Sequence, residues 1–456
     1  MLRGLLVVAM CAVLLQVAAP TQAATGTVTS MTGTSARAGE TTSLGIAVTD
    51  AAGTPLPGVL VTVERLAGGA WAPVGEVVTD AQGHAAIDAA LARSAGDNVF
   101  RAAYAGDATY TPSSSGAVPI ALVRRASILT LTAPPVVVDE QSVQLVVGWR
   151  TDSGEGVAGP VQVQLLQGGR WLDVATPTTD AAGQATVTYA PRDDVTLRAV
   201  APTLDWVVAS ISSSRRIDNR PPAQPVSLPR KAPHPRIVLP PQPRAVGSGA
   251  DAVVTRIPNN IWREMSGVTW HAGCPVGRAR LRLIRVNYWG YDGYRHRGEL
   301  VIHAAASEQF VGALTEIYDR RLPIRSMYRV DRFGWSPRLR GGDDYASMAA
   351  GNSSAFNCRY VVNRPGVRSP HSYGRSFDIN TWENPFRSAT GLVPNDWWQS
   401  RSDPRVAWRS GSHPMVRLMR RHGFSWTYGT GDSQHFDARG PSGRIVHDQR
   451  CVGVCH

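Results

Sequence analysis

The sequence predicts a multidomain chain in which two all-β sandwiches precede an α+β domain with a central antiparallel sheet. Three observations carry that reading. A set of residues recurs at a fixed offset of 100, nine prolines crowd between Pro221 and Pro243, and beyond them the alternating pattern gives way to mixed strand and helix periods. At 456 residues and 43% hydrophobic content, the chain is longer than one core usually spans.

The first 23 residues read as a secretory leader: Arg3 supplies the charge, Leu5 to Val17 the apolar run and Thr21-Gln22-Ala23 the small-residue cleavage site. That run is too short to cross a bilayer of about 30 Å, and no later stretch approaches that length. The chain is therefore expected outside the membrane, secreted or associated with a cell wall. Four cysteines remain after the leader, Cys274, Cys358, Cys451 and Cys455. In an exported chain an even number implies disulfides, with three connectivities open. The pairing favoured is Cys274 with Cys358 and Cys451 with Cys455; a second zinc cluster of Cys451, Cys455 and His456 is the alternative.

Residues 24–122 and 123–216 are two copies of one unit. Val61, Val63, Leu66, Gly68-Gly69, Trp71, Thr79-Asp80 and Gly83 return as Val161, Val163, Leu166, Gly168-Gly169, Trp171, Thr179-Asp180 and Gly183. Alternation in Val59 to Val63 and Val161 to Leu165, with turns at Asp80 to Gly83 and Asp180 to Gly183, predicts short strands. An immunoglobulin-like sandwich follows, without the usual cysteine pair. Trp71 and Trp171 are expected in the core. Neither copy clusters exposed aromatics or charge, which favours a spacer over a binding module.

Residues 217–248 form a linker in which prolines alternate with Arg230, Lys231, Arg236 and Arg244. Such density predicts an extended, semi-rigid chain of about 3.1 Å per residue holding the modules apart.

Residues 249–456 hold the chemistry. Leu281, Leu283, Val286 and Tyr288 imply a strand over 280–288, and Glu299 to His303 a second. Phe310, Val311, Leu314, Ile317 and Tyr318 have helical spacing over 307–321, stopped by Pro323. A strand over 322–330 would present Arg325, a loop is expected over 335–357, and a helix should run from Ser412 to Gly423 with Pro414 in its first turn. Residues 245–456 contain 29 arginines against 17 acidic residues, which accounts for the whole net charge of +12. That excess favours an anionic partner. An exported protein meets wall polymers before nucleic acid, so nucleic acid and a membrane span are both set aside.

Two stretches then stand out. Ser369-Pro370-His371-Ser372-Tyr373-Gly374-Arg375-Ser376-Phe377-Asp378-Ile379-Asn380 and Asp432-Ser433-Gln434-His435-Phe436 together offer two imidazoles, one carboxylate to join them and a second carboxylate three residues before the later histidine. Three N and O ligands, an open position and a nearby base make the inventory of a catalytic zinc site. His303, His413, His422 and His447 compete for the metal, and no Gly-x-Ser-x-Gly elbow supports a serine hydrolase.

These stretches, with Glu383-Asn384-Pro385, Gly273-Cys274-Pro275, Pro323-Ile324-Arg325 and Ser354-Ala355-Phe356-Asn357-Cys358-Arg359, resemble the VanY-type D-alanyl-D-alanine carboxypeptidases, zinc peptidases of the bacterial cell wall. The resemblance covers roughly residues 255 to 440. It implies that His371, Asp378 and His435 hold Zn2+, that Asp432 is the general base and that Arg325 faces the oxyanion. It also implies a peptidoglycan stem peptide as substrate, with cleavage of an L-alanyl-D-glutamate bond, or binding without cleavage, as alternatives. The chain departs from the family pattern at Ser376, where alanine is usual, at Asp437, where glutamate often stands, and over Trp426 to Asp432, a segment shorter than the pattern implies.

Overall fold

The computed structural model describes residues 23–456, so the leader lies outside the described residues except for Ala23. The chain divides into two compact units. One holds both repeats up to Ile217; the other holds Asp218–His456 with the short segments Val136–Gln141 and Ala190–Asp193.

In the first unit, each repeat is built from two antiparallel sheets. In repeat 1 the strands Thr27–Gly33, Thr41–Asp50 and His84–Ala90 form one sheet, and Ala70–Val78, Leu60–Ala67 and Val99–Tyr104 belong to the other. Leu44, Ile46 and Val48 from the first and Val61, Val63, Phe100 and Ala102 from the second share one core, which makes the predicted sandwich. Repeat 2 repeats the plan with Ser127–Thr132, Val143–Thr151 and Gln184–Tyr189 in one sheet and Gln162–Gln167, Arg170–Ala175 and Val195–Ala201 in the other. The shared turn has a physical cause. Asp80 Oδ1 accepts from the Gln82 and His84 amides and Asp180 Oδ1 from that of Gln184, while Gly83 and Gly183 both adopt φ +73°.

Trp71 and Trp171 are not core residues. Each is half-buried on the opposite face, opposite Leu66 and Leu166 in register, beneath the guanidinium of Arg101 at 4.4 Å and of Arg198 at 4.2 Å. Val61 and Val63 face inward, but between Val63 and Glu64 the register slips by one and leaves Val74 of the partner strand without an opposite number, and the same slip at Val163 leaves out Val174, so the alternation of the tryptophan-bearing strands is reversed.

The second unit contains two three-stranded antiparallel sheets and two principal helices. Val253–Arg256, Leu281–Trp289 and Arg295–His303 form one sheet; Ser376–Asp378, His435–Ala438 and Phe424–Ser425 form the other. Helix Ser307–Asp319 buries Phe310, Ala313, Leu314, Ile317 and Tyr318, positions at i, i+3, i+4, i+7 and i+8. Helix Pro414–Arg421 starts with proline at its first position and is capped by His413 Nδ1, which accepts from the Met415 amide at 3.2 Å. Ile284, Val286, Ile302, Phe310, Phe377, Met415 and Phe436 share one core, so both sheets and both helices depend on the same apolar cluster. No helix among the described residues is long and apolar enough to cross a membrane.

Three local expectations change. Residues 322–330 run beside the first sheet without joining its ladder; their backbone bonds to it are Ile324 N to Trp289 O and Glu299 N to Met327 O, and Pro323 has no amide to offer. Residues 335–357 are not all loop, because Asp343 caps a helix over Asp344–Ala349. The proline-rich run does not stand free as a spacer. Val226, Leu228 and Ala232 pack with Trp382, Trp398, Val406 and Ala407. Several of its carbonyls accept from the same unit: Pro233 O from Trp382 Nε1 at 2.7 Å, Pro240 O from Tyr328 OH at 2.5 Å and Pro243 O from the Arg297 amide at 2.8 Å.

Candidate metal centre

Ser369 begins the site. Its hydroxyl accepts from the His371 amide and starts a single turn over Pro370–Tyr373. Gly374 ends that turn at φ +65°, where an added Cβ would lie 2.9 Å from the His303 amide nitrogen, so only glycine lets the chain reverse there. Strand Ser376–Asp378 then pairs with His435–Ala438, setting Asp378 opposite His435, Phe377 opposite Phe436 and Ser376 opposite Asp437. Alternation sends the two phenylalanines into the core and both polar pairs to the other face.

One ligand atom from each of His371, Asp378, His435 and His456 lies within 4.8 Å of the others, and all four residues are buried. His371 Nδ1 is 2.6 Å from the Ala355 carbonyl, which can only accept, so Nδ1 carries the hydrogen and Nε2 presents a lone pair. That Nε2 is 3.0 Å from Asp378 Oδ2 and 3.1 Å from His435 Nδ1. His435 is held from behind by Asp437 Oδ1, 3.0 Å from its Nε2, and its Nδ1 lies 3.1 Å from Asp378 Oδ1. Two imidazole nitrogens and a carboxylate facing each other in a dry pocket require protons or a cation between them. The N and O donor set and its outer carboxylate fit zinc.

The electrostatics agree. Burial pushes the Asp378 carboxyl up, but the neighbouring His371 and His456 hold it well below the ordinary carboxylate range. Burial pulls His435 down, and Asp437 and Asp378 carry it well above the usual histidine value. His456 is likewise opposed by burial and raised by Asp378 and Asp432 to about 9. Without a cation the protonated forms of His435 and His456 are therefore favoured, and a metal would displace those protons.

Of the remaining predicted residues, Asp432 borders this cluster. Its Oδ2 is 2.8 Å from His456 Nδ1, while its buried Oδ1 has no hydrogen-bond partner. Arg325 is placed elsewhere: it pairs with the buried Glu383 and stacks 4.3 Å over Tyr291, and none of these partners is one of the four ligand residues. The predicted strand would aim it at the site; in its absence the guanidinium pairs with the buried Glu383. The buried arginine beside the cluster is Arg359, whose Nη2 lies 2.8 Å from Asp344 Oδ2, itself 3.1 Å from His456 Nε2. Arg359 belongs to a stretch singled out in the sequence, but nothing local assigned it this place.

Both disulfides form, Cys274 with Cys358 and Cys451 with Cys455. His456 thus joins no cluster with those cysteines; it enters the main site. The other histidines stay out: His303 and His413 cap turns of helix, His422 pairs with Glu316 at 2.7 Å and His447 bonds the Asp448 carbonyl.

Residues 363–438 match the family model described as D-alanyl-D-alanine carboxypeptidase, so this unit carries a peptidase-family region that includes His371, Asp378, Asp432 and His435. Comparison with curated proteins finds no match. Among solved structures, the native conformation of E. coli alpha-2-macroglobulin is similar at 10% identity over 58% of this chain and 18% of that one, with a TM-score of 0.20. The tetra-tandem repeat in the extending region of a large adhesion protein is similar at 12% identity, covering 60% of this chain and 64% of that one, TM-score 0.28. The D0-D1 domain of intimin is similar at 16% identity over 42% of this chain and 97% of that one, TM-score 0.17. This chain thus spans about a fifth of the macroglobulin's length.

Proposed function

We propose, from the D-alanyl-D-alanine carboxypeptidase-like region, that this chain is an exported zinc peptidase that hydrolyses peptidoglycan stem peptides and releases the terminal D-alanine. The observation that supports it most is the convergence of His371, Asp378 and His435 within one dry pocket, beside a carboxylate with a free oxygen. His371, Asp378 and His435 would hold the ion; bound there, zinc supplies a Lewis acid for the scissile carbonyl and for the attacking water. The chain's own groups do the rest. Asp437 and the Ala355 carbonyl fix the two imidazoles in the tautomers that leave lone pairs toward the site. Asp432 takes a proton at its unpartnered Oδ1 and returns one to the leaving amine, work typically worth about 10²- to 10⁴-fold in rate. Export is supported by the leader and by two disulfides, which form in oxidising compartments. The repeats serve as spacers, and the arginine excess favours residence near anionic wall polymers.

The test is mass spectrometry of muropeptides incubated with zinc-loaded protein. Loss of a single alanine is the expected result. Removal of the whole stem would make it an endopeptidase, and binding with no product would make it a non-catalytic wall-binding protein.

A further inference from the structure

A catalytic zinc site keeps one position open, whereas a structural site is closed by four protein ligands. Here a fourth donor is present. His456 Nε2 lies 3.3 Å from Asp378 Oδ2 and its ring stacks on Phe386 with centroids 4.4 Å apart. The same imidazole engages the proposed base through Nδ1 and Asp432 Oδ2. Residue 456 is only 2% exposed, and the other three ligands are no more open. A cleft of about 290 Å³ is lined by Val361, Val362, Arg364, Phe386, Val454 and His456.

The segment is fastened where it lies. The Cys451–Cys455 disulfide closes it into a small loop. Arg364 Nη1 donates to Val452 O at 2.6 Å, Arg450 Nη2 to Gly366 O at 2.6 Å, and the Arg368 amide to Asp448 Oδ2 at 3.0 Å. All three fastenings reach the hairpin Tyr360–Arg368. The whole segment lies beyond the 363–438 family match.

We infer that residues 448–456 are an inhibitory strap: the His456 imidazole is a fourth ligand to the cation, and the loop behind it forms the wall between that cleft and the ion. With the strap seated, neither a water nor a scissile carbonyl can reach the ion and one oxygen of Asp432 is engaged, so the wild-type chain turns over only in the fraction of molecules whose strap is displaced. Displacing or removing the strap restores three ligands, an open position and a free base. This inference rests on the zinc reading above.

The experiment uses the full chain loaded with cobalt(II) and compares wild type with His456→Ala and Arg364→Ala, the second variant loosening the strap at Val452 while leaving the four ligand residues and Asp432 in place. Visible absorption reports the coordination, and acetohydroxamate, a small chelating anion, reports access to the ion. The wild-type spectrum is expected to ignore acetohydroxamate, whereas both variants respond to it. Chelator competition should show His456→Ala losing at least the roughly 10- to 100-fold in metal affinity that removal of an outer partner costs. Muropeptide turnover should rise in Arg364→Ala. Wild type and His456→Ala with the same spectrum, affinity and response to acetohydroxamate overturn the strap while leaving the zinc site intact. A wild-type chain that binds no cobalt overturns the metal site, and the strap with it.

Discussion

The Ser376 hydroxyl donates to Asp437 Oδ1 at 2.6 Å, across a strand pair in which the two residues stand directly opposite. These are two of the positions at which the sequence departs from the pattern it resembles, and they are bonded to each other. Asp437 is shorter than glutamate, and its carboxylate sits at His435 Nε2 with Ser376 and Thr427 as donors. Burial pushes its carboxyl up, and the His435 charge with those donors brings it below the ordinary value. Asp437→Asn is therefore expected to weaken zinc binding by about 10- to 100-fold, with a smaller loss for Ser376→Ala. Titration against a coloured chelator measures both, and unchanged affinity in Asp437→Asn would remove it from the support of His435.

Asp432 and His371 separate base from ligand. Asp432→Asn is expected to retain bound zinc and lose about 10²- to 10⁴-fold in muropeptide turnover. His371→Ala is expected to lose zinc and turnover together. Zinc content by elemental analysis, read beside the rate, decides each case. An Asp432→Asn protein with wild-type turnover would exclude it as the base.

Arg325 gives a prediction on stability. Its guanidinium pairs with Glu383, which is fully buried. Removing one partner of a buried pair leaves an uncompensated charge, so Arg325→Ala should cost about 3–5 kcal/mol in unfolding free energy. Replacing both residues by Met and Leu should recover most of it. An oxyanion donor would behave differently, with a fallen rate and an unchanged denaturation midpoint in urea.

What the sequence disclosed and what it hid follow the range of the forces involved. Helix Ser307–Asp319 was legible from its apolar spacing, the repeats from their offset, and the turn from Ser369 to Gly374 from residues a few positions apart. The register that sets Asp378 against His435 was within reach, because both stretches alternate polar with phenylalanine. The docking of the proline run was not legible: it depends on Trp382 and Tyr328, about 150 and 90 residues away. The inward place of His456 was equally hidden, since its contacts with Asp378, Asp432 and Asp344 are all distant in sequence. Trp71 and Trp171 misled because hydrophobicity alone does not say which face of a strand a bulge will turn outward.

Glu316 links the two principal helices and makes the last prediction one of pH. Its Oε1 lies 2.5 Å from Arg421 Nη2 and 2.7 Å from Arg320 Nε, and its Oε2 lies 2.7 Å from His422 Nε2. Burial pushes the carboxyl up, but these three donors hold it down at about 2, against an ordinary 4.5. A value depressed in the folded state means that the contribution is present above the unfolded value and is lost as pH falls from 4.5 toward about 2. With solvent screening allowed for, Glu316→Gln should cost about 1 kcal/mol at neutral pH. The difference between wild type and variant should shrink through that window and vanish near its lower end. Urea unfolding of both proteins across the acid range measures it, and a difference that stays constant with pH would mean that the Glu316 charge contributes nothing to holding the helices together.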